Sequence, residues 1–171
     1  MILTVGLAKG KDGARAPRNG ETGAGPVRRV TRARNVGAPP AAVWKVLSDF
    51  GGIARWAPNV DHSCLVSEQA DGVGAVRRVQ AGRTVVVEHV GTWQPELMLS
   101  YTIEGLPEIV GTPSNTWIIR PDGDGTSVSV LTDIDASRPV GRIVAVWLGH
   151  RMGRASTAML AGLANHLEER P

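Results

Sequence analysis

The spacing of apolar and polar positions changes along the chain, and each change predicts a different kind of element. Apolar and basic residues alternate from Val27 to Val36, a pattern typical of a strand of mixed polarity. Ala38-Pro39-Pro40 then stops the strand and begins a helix, because proline is tolerated in a first helical turn. Gly51-Gly52 ends this helix, and Ile53 to Trp56 predicts a second, shorter one.

Six short β-like runs follow, separated by turn signals such as Asp71-Gly72 and Gly105-Leu106-Pro107. They cover approximately residues 60–67, 73–81, 83–93, 97–104, 112–120 and 126–135. Consecutive strands with short connections form an antiparallel meander, since a parallel neighbour needs a crossover of about a dozen residues or more. The remainder, about Pro139 to Glu169, predicts one long amphipathic helix. Its broad apolar face consists of Ile143, Val144, Trp147, Leu148, Met152, Ala155, Met159, Leu163 and Leu167.

This element order predicts an α+β fold: a strongly curved, seven-stranded antiparallel sheet around the long C-terminal helix, with two short helices after the first strand. Seven strands around one helix rarely fill their interior, so we expect an internal cavity. In the last strand, alternation predicts that Val128, Val130, Thr132 and Ile134 face inward. In the strand over 83–93 both alternating sets contain apolar residues, and periodicity leaves its inward face open.

Length and composition limit the class of protein. The chain has 171 residues, of which 42% are hydrophobic and 20% charged, as expected for one soluble globular domain. No apolar run approaches the roughly 20 residues of a transmembrane helix. The single cysteine, Cys64, excludes an internal disulfide framework and fits a reducing cytoplasm. The four histidines lack metal-binding spacing, so the sequence implies no metal and no cofactor.

Charge is divided unevenly along the chain. Residues 1–35 hold eight basic and two acidic side chains, whereas the remaining residues hold 11 basic and 14 acidic ones. A nucleic-acid partner is therefore not expected for the body of the protein. Residues 6–26 contain six of the 21 glycines and almost no large apolar side chains. We therefore expect a flexible N-terminal arm over residues 1–26 and one domain over 27–171. The oligomeric state stays open, with a homodimer as one option.

The element order and the stretch PPAAVWKVLSDFGGIARWAP, which begins at Pro39, resemble the polyketide cyclase/dehydrase branch of the START-like (SRPBCC) superfamily. Three further stretches agree: Gly72 to Arg77, Glu88 to Ile103 and Asp122 to Thr126. The resemblance covers about residues 27–168. It implies a helix-grip fold with a cavity for a hydrophobic ligand. Members include lipid and hormone carriers, plant hormone receptors and aromatase/cyclases, so the motifs indicate the fold better than the activity.

The resemblance also implies positions for cavity side chains. Glu88 matches a position from which family members point a carboxylate into the cavity, and Tyr101 matches an inward aromatic residue on the partner strand. His62 aligns with the ligand-contacting lysine of the hormone receptors. Neutral histidine supplies no fixed positive charge at neutral pH, which disfavours a carboxylate ligand.

Each of these candidate residues has a structural as well as a functional interpretation. Arg77 and Glu88 are expected on adjacent strands. In the structural interpretation they form a buried ion pair, and in the functional one Glu88 acts as a base on a ligand while Arg77 holds an enolate-like oxygen. His62 is a hydrogen-bonded wall residue or a base, so Glu88 and His62 are the candidate catalytic residues. Arg151 falls within the apolar arc of the long helix and either reaches the rim or contacts an acidic cavity group. Trp117 and Trp147 are either ligand contacts or core residues.

Two functions compete on this basis. The first is a cytoplasmic carrier or sensor that binds a lipid, isoprenoid or polyketide-like molecule. The second is an aromatase/cyclase-type enzyme that orients a poly-β-keto chain for condensation. Whether the protein is an enzyme stays open at this point. The candidate ligand-binding residues are His62, Arg77, Glu88, Tyr101, Trp117, Trp147 and Arg151.

Overall fold

The computed structural model describes residues 27–107, 111–135 and 139–169. The first strand, β1 (Val27–Val36), is followed by helix α1 (Pro40–Ser48) and a 3₁₀ helix (Phe50–Arg55). Helix α2 (Pro139–Glu168) closes the chain. Between the 3₁₀ helix and α2 lie β2 (His62–Leu65), β3 (Val76–Ala81), β4 (Thr84–Gln94), β5 (Met98–Glu104), β6 (Ser114–Asp122) and β7 (Gly125–Asp135). The predicted flexible arm over residues 1–26 lies outside the described residues.

The seven strands form one antiparallel sheet in the order β1-β7-β6-β5-β4-β3-β2. The predicted meander is therefore confirmed, with β1 added at the far edge by pairing along its whole length with β7. Helix α2 packs across the concave face, as expected for a helix-grip fold. The α+β prediction is confirmed, including the two short helices after β1.

Strand alternation decides which side chains face α2. Val128, Val130, Thr132 and Ile134 of β7 are all fully or almost fully buried, which confirms their predicted inward face. On α2, Leu148, Met159 and Leu163 are buried. Met159 and Leu163 join Val128, Val130 and the inward residues of β5 and β6 in one apolar interior, whose burial is the main favourable contribution to folding.

A β-bulge in β4 resolves the ambiguity of this strand. The pairing with β5 shifts register between Val90 and Thr92. Before the bulge the even positions face inward, so Glu88 and Val90 are buried. After it the odd position Trp93 pairs with buried Leu99 and contacts Trp44 of α1 edge-to-face, with ring centroids 5.1 Å apart. Both alternating sets contain apolar residues because each faces the interior over part of the strand.

The C-terminal part of α2 is held close to the end of the 3₁₀ helix. Gly162 lies against the backbone carbonyl of Trp56, where an added Cβ atom would collide with the carbonyl oxygen. Trp56 in turn packs edge-to-face on Trp117 of β6, with ring centroids 5.9 Å apart. The contact between Gly162 and Trp56 therefore sets the distance between α2 and the 3₁₀ helix at one end of the interior, while the other end stays open.

Candidate ligand-binding cavity

A cavity of about 640 Å³ lies between the concave face of the sheet and α2. This volume falls within the range of about 300–1,000 Å³ that is usual for small-molecule sites. Its wall is mostly aliphatic, as expected from the inward positions of the strands and of α2. The apolar side chains include Ile53, Val60, Val79, Val86, Ile103, Leu106, Leu148, Met152 and Met159.

The cavity has a closed inner end and an open mouth. Glu88, Asn115 and Val79 line the inner end and are all buried. Arg83 of the β3–β4 turn and Pro107 after β5 also line the cavity but are exposed to solvent. The cavity therefore opens between the β3–β4 turn, the segment after β5 and the N-terminal half of α2.

Arg77 and Glu88 lie opposite each other on β3 and β4 and form a buried ion pair. The Arg77 Nε donates to Glu88 Oε2 at 2.5 Å, and Arg77 Nη1 donates to the backbone carbonyl of Phe50 at 2.7 Å. The guanidinium also stacks on the ring of Phe50, 4.0 Å from its centroid, and on Tyr101, 5.0 Å from its centroid. Arg77 is thus held behind the wall by these contacts and does not line the cavity.

Glu88 differs from its partner because it reaches the cavity. It is 6% exposed and lines the inner end. Arg77 occupies only Oε2, and no group among residues 27–107, 111–135 and 139–169 donates to Oε1. A charged oxygen with spare acceptor capacity therefore lies at the inner wall. Such an oxygen forms hydrogen bonds that are about twice as strong as those of a neutral acceptor.

Behind Glu88 the buried hydroxyl of Tyr101 organises the remaining polar groups. It accepts hydrogen bonds from Trp117 Nε1 at 3.2 Å and from Asn115 Nδ2 at 3.4 Å. Asn115 Oδ1 accepts in turn from Thr132 Oγ1 at 2.7 Å. Burial, reinforced by the negative charge of Glu88, raises the pKa of Tyr101. Tyr101 is therefore a neutral phenol at physiological pH, and it supports the wall together with Trp117 without lining the cavity.

The prediction that His62 faces inward is wrong. His62 is exposed and pairs with Gln80, whereas its neighbour Ser63 pairs with buried Val79. Ser63 takes the inward phase because its hydroxyl donates to the Gly51 carbonyl and accepts from the Ala54 N–H. One residue of phase decides the face of a strand, and β2 is only four residues long. His62 therefore lies on the outer face of the sheet and does not line the cavity.

Trp147 and Arg151 lie at the mouth of the cavity. Trp147 is 62% exposed, so its predicted place on the packed face of α2 is wrong, although its side chain does line the rim. Arg151 is also exposed, and its guanidinium lies 5.7 Å from the centroid of the Trp147 ring. The apolar arc of α2 is centred on Leu148, Met152 and Met159, and Trp147 stands at its border.

The structure thus brings Arg77, Glu88, Tyr101 and Trp117 together and places Trp147 and Arg151 at the entrance. Four further polar residues line the cavity and were not predicted from the sequence: Asn59, Arg83, Thr84 and Asn115. Asn115 lies two residues before Trp117 on β6 and therefore faces inward as well, and this alternation could have predicted its position. Asn59 follows the 3₁₀ helix in an irregular segment, where no periodicity predicts its direction. Its buried Oδ1 has no hydrogen-bond partner among the described residues.

Within the described ranges, no group of three His, Cys, Asp or Glu side chains is arranged to hold a metal ion. No helix in that same part of the chain has the length and apolar character that crossing a membrane requires.

The chain belongs to the family described as polyketide cyclase / dehydrase and lipid transport, whose sequence model matches residues 27–168. This confirms the resemblance that the sequence motifs indicated. No curated protein matches the chain.

Solved structures agree on the fold. The Zhui aromatase/cyclase from Streptomyces sp. R1128 is 22% identical, with a TM-score of 0.68 over 84% of this chain and 95% of that one. A protein from Thermobifida fusca, solved by NMR, is 26% identical, with a TM-score of 0.68 over 82% and 93% of the two chains. The di-domain ARO/CYC StfQ from the steffimycin biosynthetic pathway is 12% identical, with a TM-score of 0.72 over 84% of this chain and 51% of that one.

Proposed function

We propose that the protein binds an apolar small molecule in this cavity, as a carrier or sensor, and that Glu88 anchors a hydrogen-bond donor on the ligand. The observation that carries the proposal is the contrast between an aliphatic wall and a carboxylate oxygen at its inner end, Glu88 Oε1, to which no described residue donates. The apolar part of such a ligand contributes favourable binding free energy when it leaves water, and a hydroxyl or N–H group at its inner end donates a hydrogen bond to Glu88 Oε1.

The lining also indicates which ligand chemistry fits. The inner end offers an acceptor, Glu88 Oε1, whereas the Asn115 amide is already engaged on both sides by Tyr101 and Thr132. A ligand carboxylate would meet a negative charge there and is disfavoured. The proposed ligand class is therefore a lipid, isoprenoid or polyketide-like molecule that carries a hydroxyl or phenol.

The second candidate, an aromatase/cyclase-type enzyme, retains Glu88 as a base at the cavity wall. It is supported by the family and by the fold of the two aromatase/cyclase structures. It loses two of its expected groups, because His62 is on the outer face and Arg77, which is paired with Glu88 and the Phe50 carbonyl, does not line the cavity. Binding is therefore favoured over catalysis.

The proposal is tested with a matched pair of fluorescent probes, hydroxypyrene and methoxypyrene, which differ in the hydroxyl donor. The wild-type protein should prefer hydroxypyrene by roughly tenfold or more, the value of one hydrogen bond to a charged acceptor. The double variant Arg77→Met/Glu88→Met removes the carboxylate without leaving a lone buried charge and should lose this preference. Equal affinity of the wild-type protein for both probes would contradict the anchoring role of Glu88.

A further inference from the structure

The N-terminal half of α2 carries a basic and apolar surface beside the cavity mouth. From Pro139 to Leu167 the helix sequence contains no acidic residue. Residues three and four apart lie on one face of a helix, so the exposed residues between 146 and 154 form one surface. We call this surface the Trp147 face, and it consists of Val146, Trp147, His150, Arg151 and Arg154.

Two arginines of β1 extend this surface across the seam between β1 and α2. Gly149 and Gly153 let the helix approach the strand closely. A Cβ atom at Gly149 would lie 2.9 Å from Arg28 Nε, and one at Gly153 would lie 3.0 Å from Arg32 Nη2. Both guanidinium groups therefore border the Trp147 face.

Among the described side chains no carboxylate lies within 4.0 Å of Arg28, Arg32, Arg151 or Arg154. Arg29, on the opposite side of β1, is by contrast paired with Asp133 at 2.7 Å. The helix side of β1 and the neighbouring part of α2 thus present four arginines in one region for which the described residues supply no carboxylate partner.

Exposed apolar side chains stand within this cationic region. Val146 is 50% and Trp147 62% exposed. Tryptophan is enriched at the level of lipid headgroups because its ring has an apolar body and a polar N–H. Basic side chains beside it add attraction to anionic lipids. A surface that only attracted an acidic macromolecule would not require exposed apolar residues at the rim of an apolar cavity.

We propose that the Trp147 face, with Arg28 and Arg32, docks on the surface of an anionic lipid bilayer, with Trp147 among the headgroups and the cavity mouth towards the lipid. Charge complementarity supplies the attraction, and Trp147 and Val146 enter the interface. An apolar ligand then passes between bilayer and cavity without crossing bulk water. Docking does not require an occupied cavity, so its test is independent of the proposed ligand-binding function.

The test measures partition of the full-length protein onto vesicles of phosphatidylcholine with and without phosphatidylglycerol. Binding is expected only to the anionic vesicles. The variants Arg151→Gln/Arg154→Gln and Arg28→Gln/Arg32→Gln should each weaken it on the order of tenfold or more. The matched control Arg78→Gln/Arg120→Gln removes two exposed arginines from the outer side of the sheet and should change it less than about twofold.

The position of Trp147 is tested by quenching with brominated lipid. The chain has five tryptophans, and Trp147 is the one at the mouth rim. Quenching on vesicle binding should be present in the wild-type protein and lost in Trp147→Phe, which still partitions. Equal partition of all variants would place binding elsewhere, for example on the basic residues of segment 1–26, and would overturn the proposal. So would absence of vesicle binding, or binding only to an acidic carrier protein.

Discussion

The buried pair of Arg77 and Glu88 makes a quantitative prediction about stability. Arg77 is 3% exposed, and its charge is balanced by one carboxylate and one backbone carbonyl. Replacing Glu88 with methionine leaves a buried guanidinium without its counter-charge. Breaking a buried ion pair in this way costs about 3–5 kcal/mol.

The reverse substitution should cost less, because the two partners differ in their access to water. Glu88 lines the cavity, so water can solvate its carboxylate after Arg77→Met. The double variant Arg77→Met/Glu88→Met replaces the pair with apolar groups of similar volume, a change that is often nearly neutral. The double variant should therefore be more stable than Glu88→Met alone.

Urea unfolding measures this difference. With a slope of about 2 kcal/mol per molar urea, the Glu88→Met midpoint should fall by roughly 1.5–2.5 M. Removing Arg77 as well should restore most of that loss. If the two single effects simply added in the double variant, with a coupling energy below about 0.5 kcal/mol, the reasoning about the buried pair would be refuted.

Three further predictions concern other parts of the site. Tyr101 is the chain's one tyrosine, and because its pKa is raised in the folded protein, its contribution to stability is full below the unfolded pKa of about 10 and decreases above it. Tyrosinate absorbance should therefore appear only well above that pH or together with unfolding. A titration midpoint near 10 in the folded protein would contradict the burial of Tyr101. Gly162→Ala forces a Cβ atom against Trp56 and should lower the free energy of unfolding by about 1–3 kcal/mol. The control Gly37→Ala places its Cβ atom in open space and should change the free energy of unfolding by less than about 1 kcal/mol. Equal thermal midpoints of the two variants would refute the close approach of α2 to Trp56. His62→Ala should leave hydroxypyrene affinity unchanged, and a loss of affinity would bring His62 back to the cavity wall.

The element order could be predicted from sequence because each element has a local signature. The meander depends on turn residues, and α2 on a helical period sustained over 30 residues. The inward face of β7 also followed from alternation. The inward face of β4 did not follow from alternation, because the bulge between Val90 and Thr92 changes which positions face inward within one strand. A bulge of this kind depends on pairing with β5, which periodicity does not report.

The site shows the same division between local and long-range causes. Glu88 and Tyr101 followed from the resemblance to the family, which assigns an inward carboxylate and an inward aromatic residue. The prediction for His62 is wrong because Ser63 takes the inward phase through hydrogen bonds to the 3₁₀ helix, a contact between separate elements that alternation within β2 does not report. The predicted burial of Trp147 is wrong because hydrophobicity alone predicts burial, whereas this aromatic residue lies at the cavity mouth and stays exposed.

The central claim, that the cavity binds an apolar molecule through Glu88, is tested most directly by native mass spectrometry of the purified protein followed by solvent extraction. The account predicts a copurifying hydrophobic molecule with a hydroxyl or N–H group in the wild-type protein. It also predicts that the folded Arg77→Met/Glu88→Met variant retains much less of it. A wild-type protein that is empty and binds neither hydroxypyrene nor methoxypyrene would contradict the claim, as would a ligand retained equally by the variant.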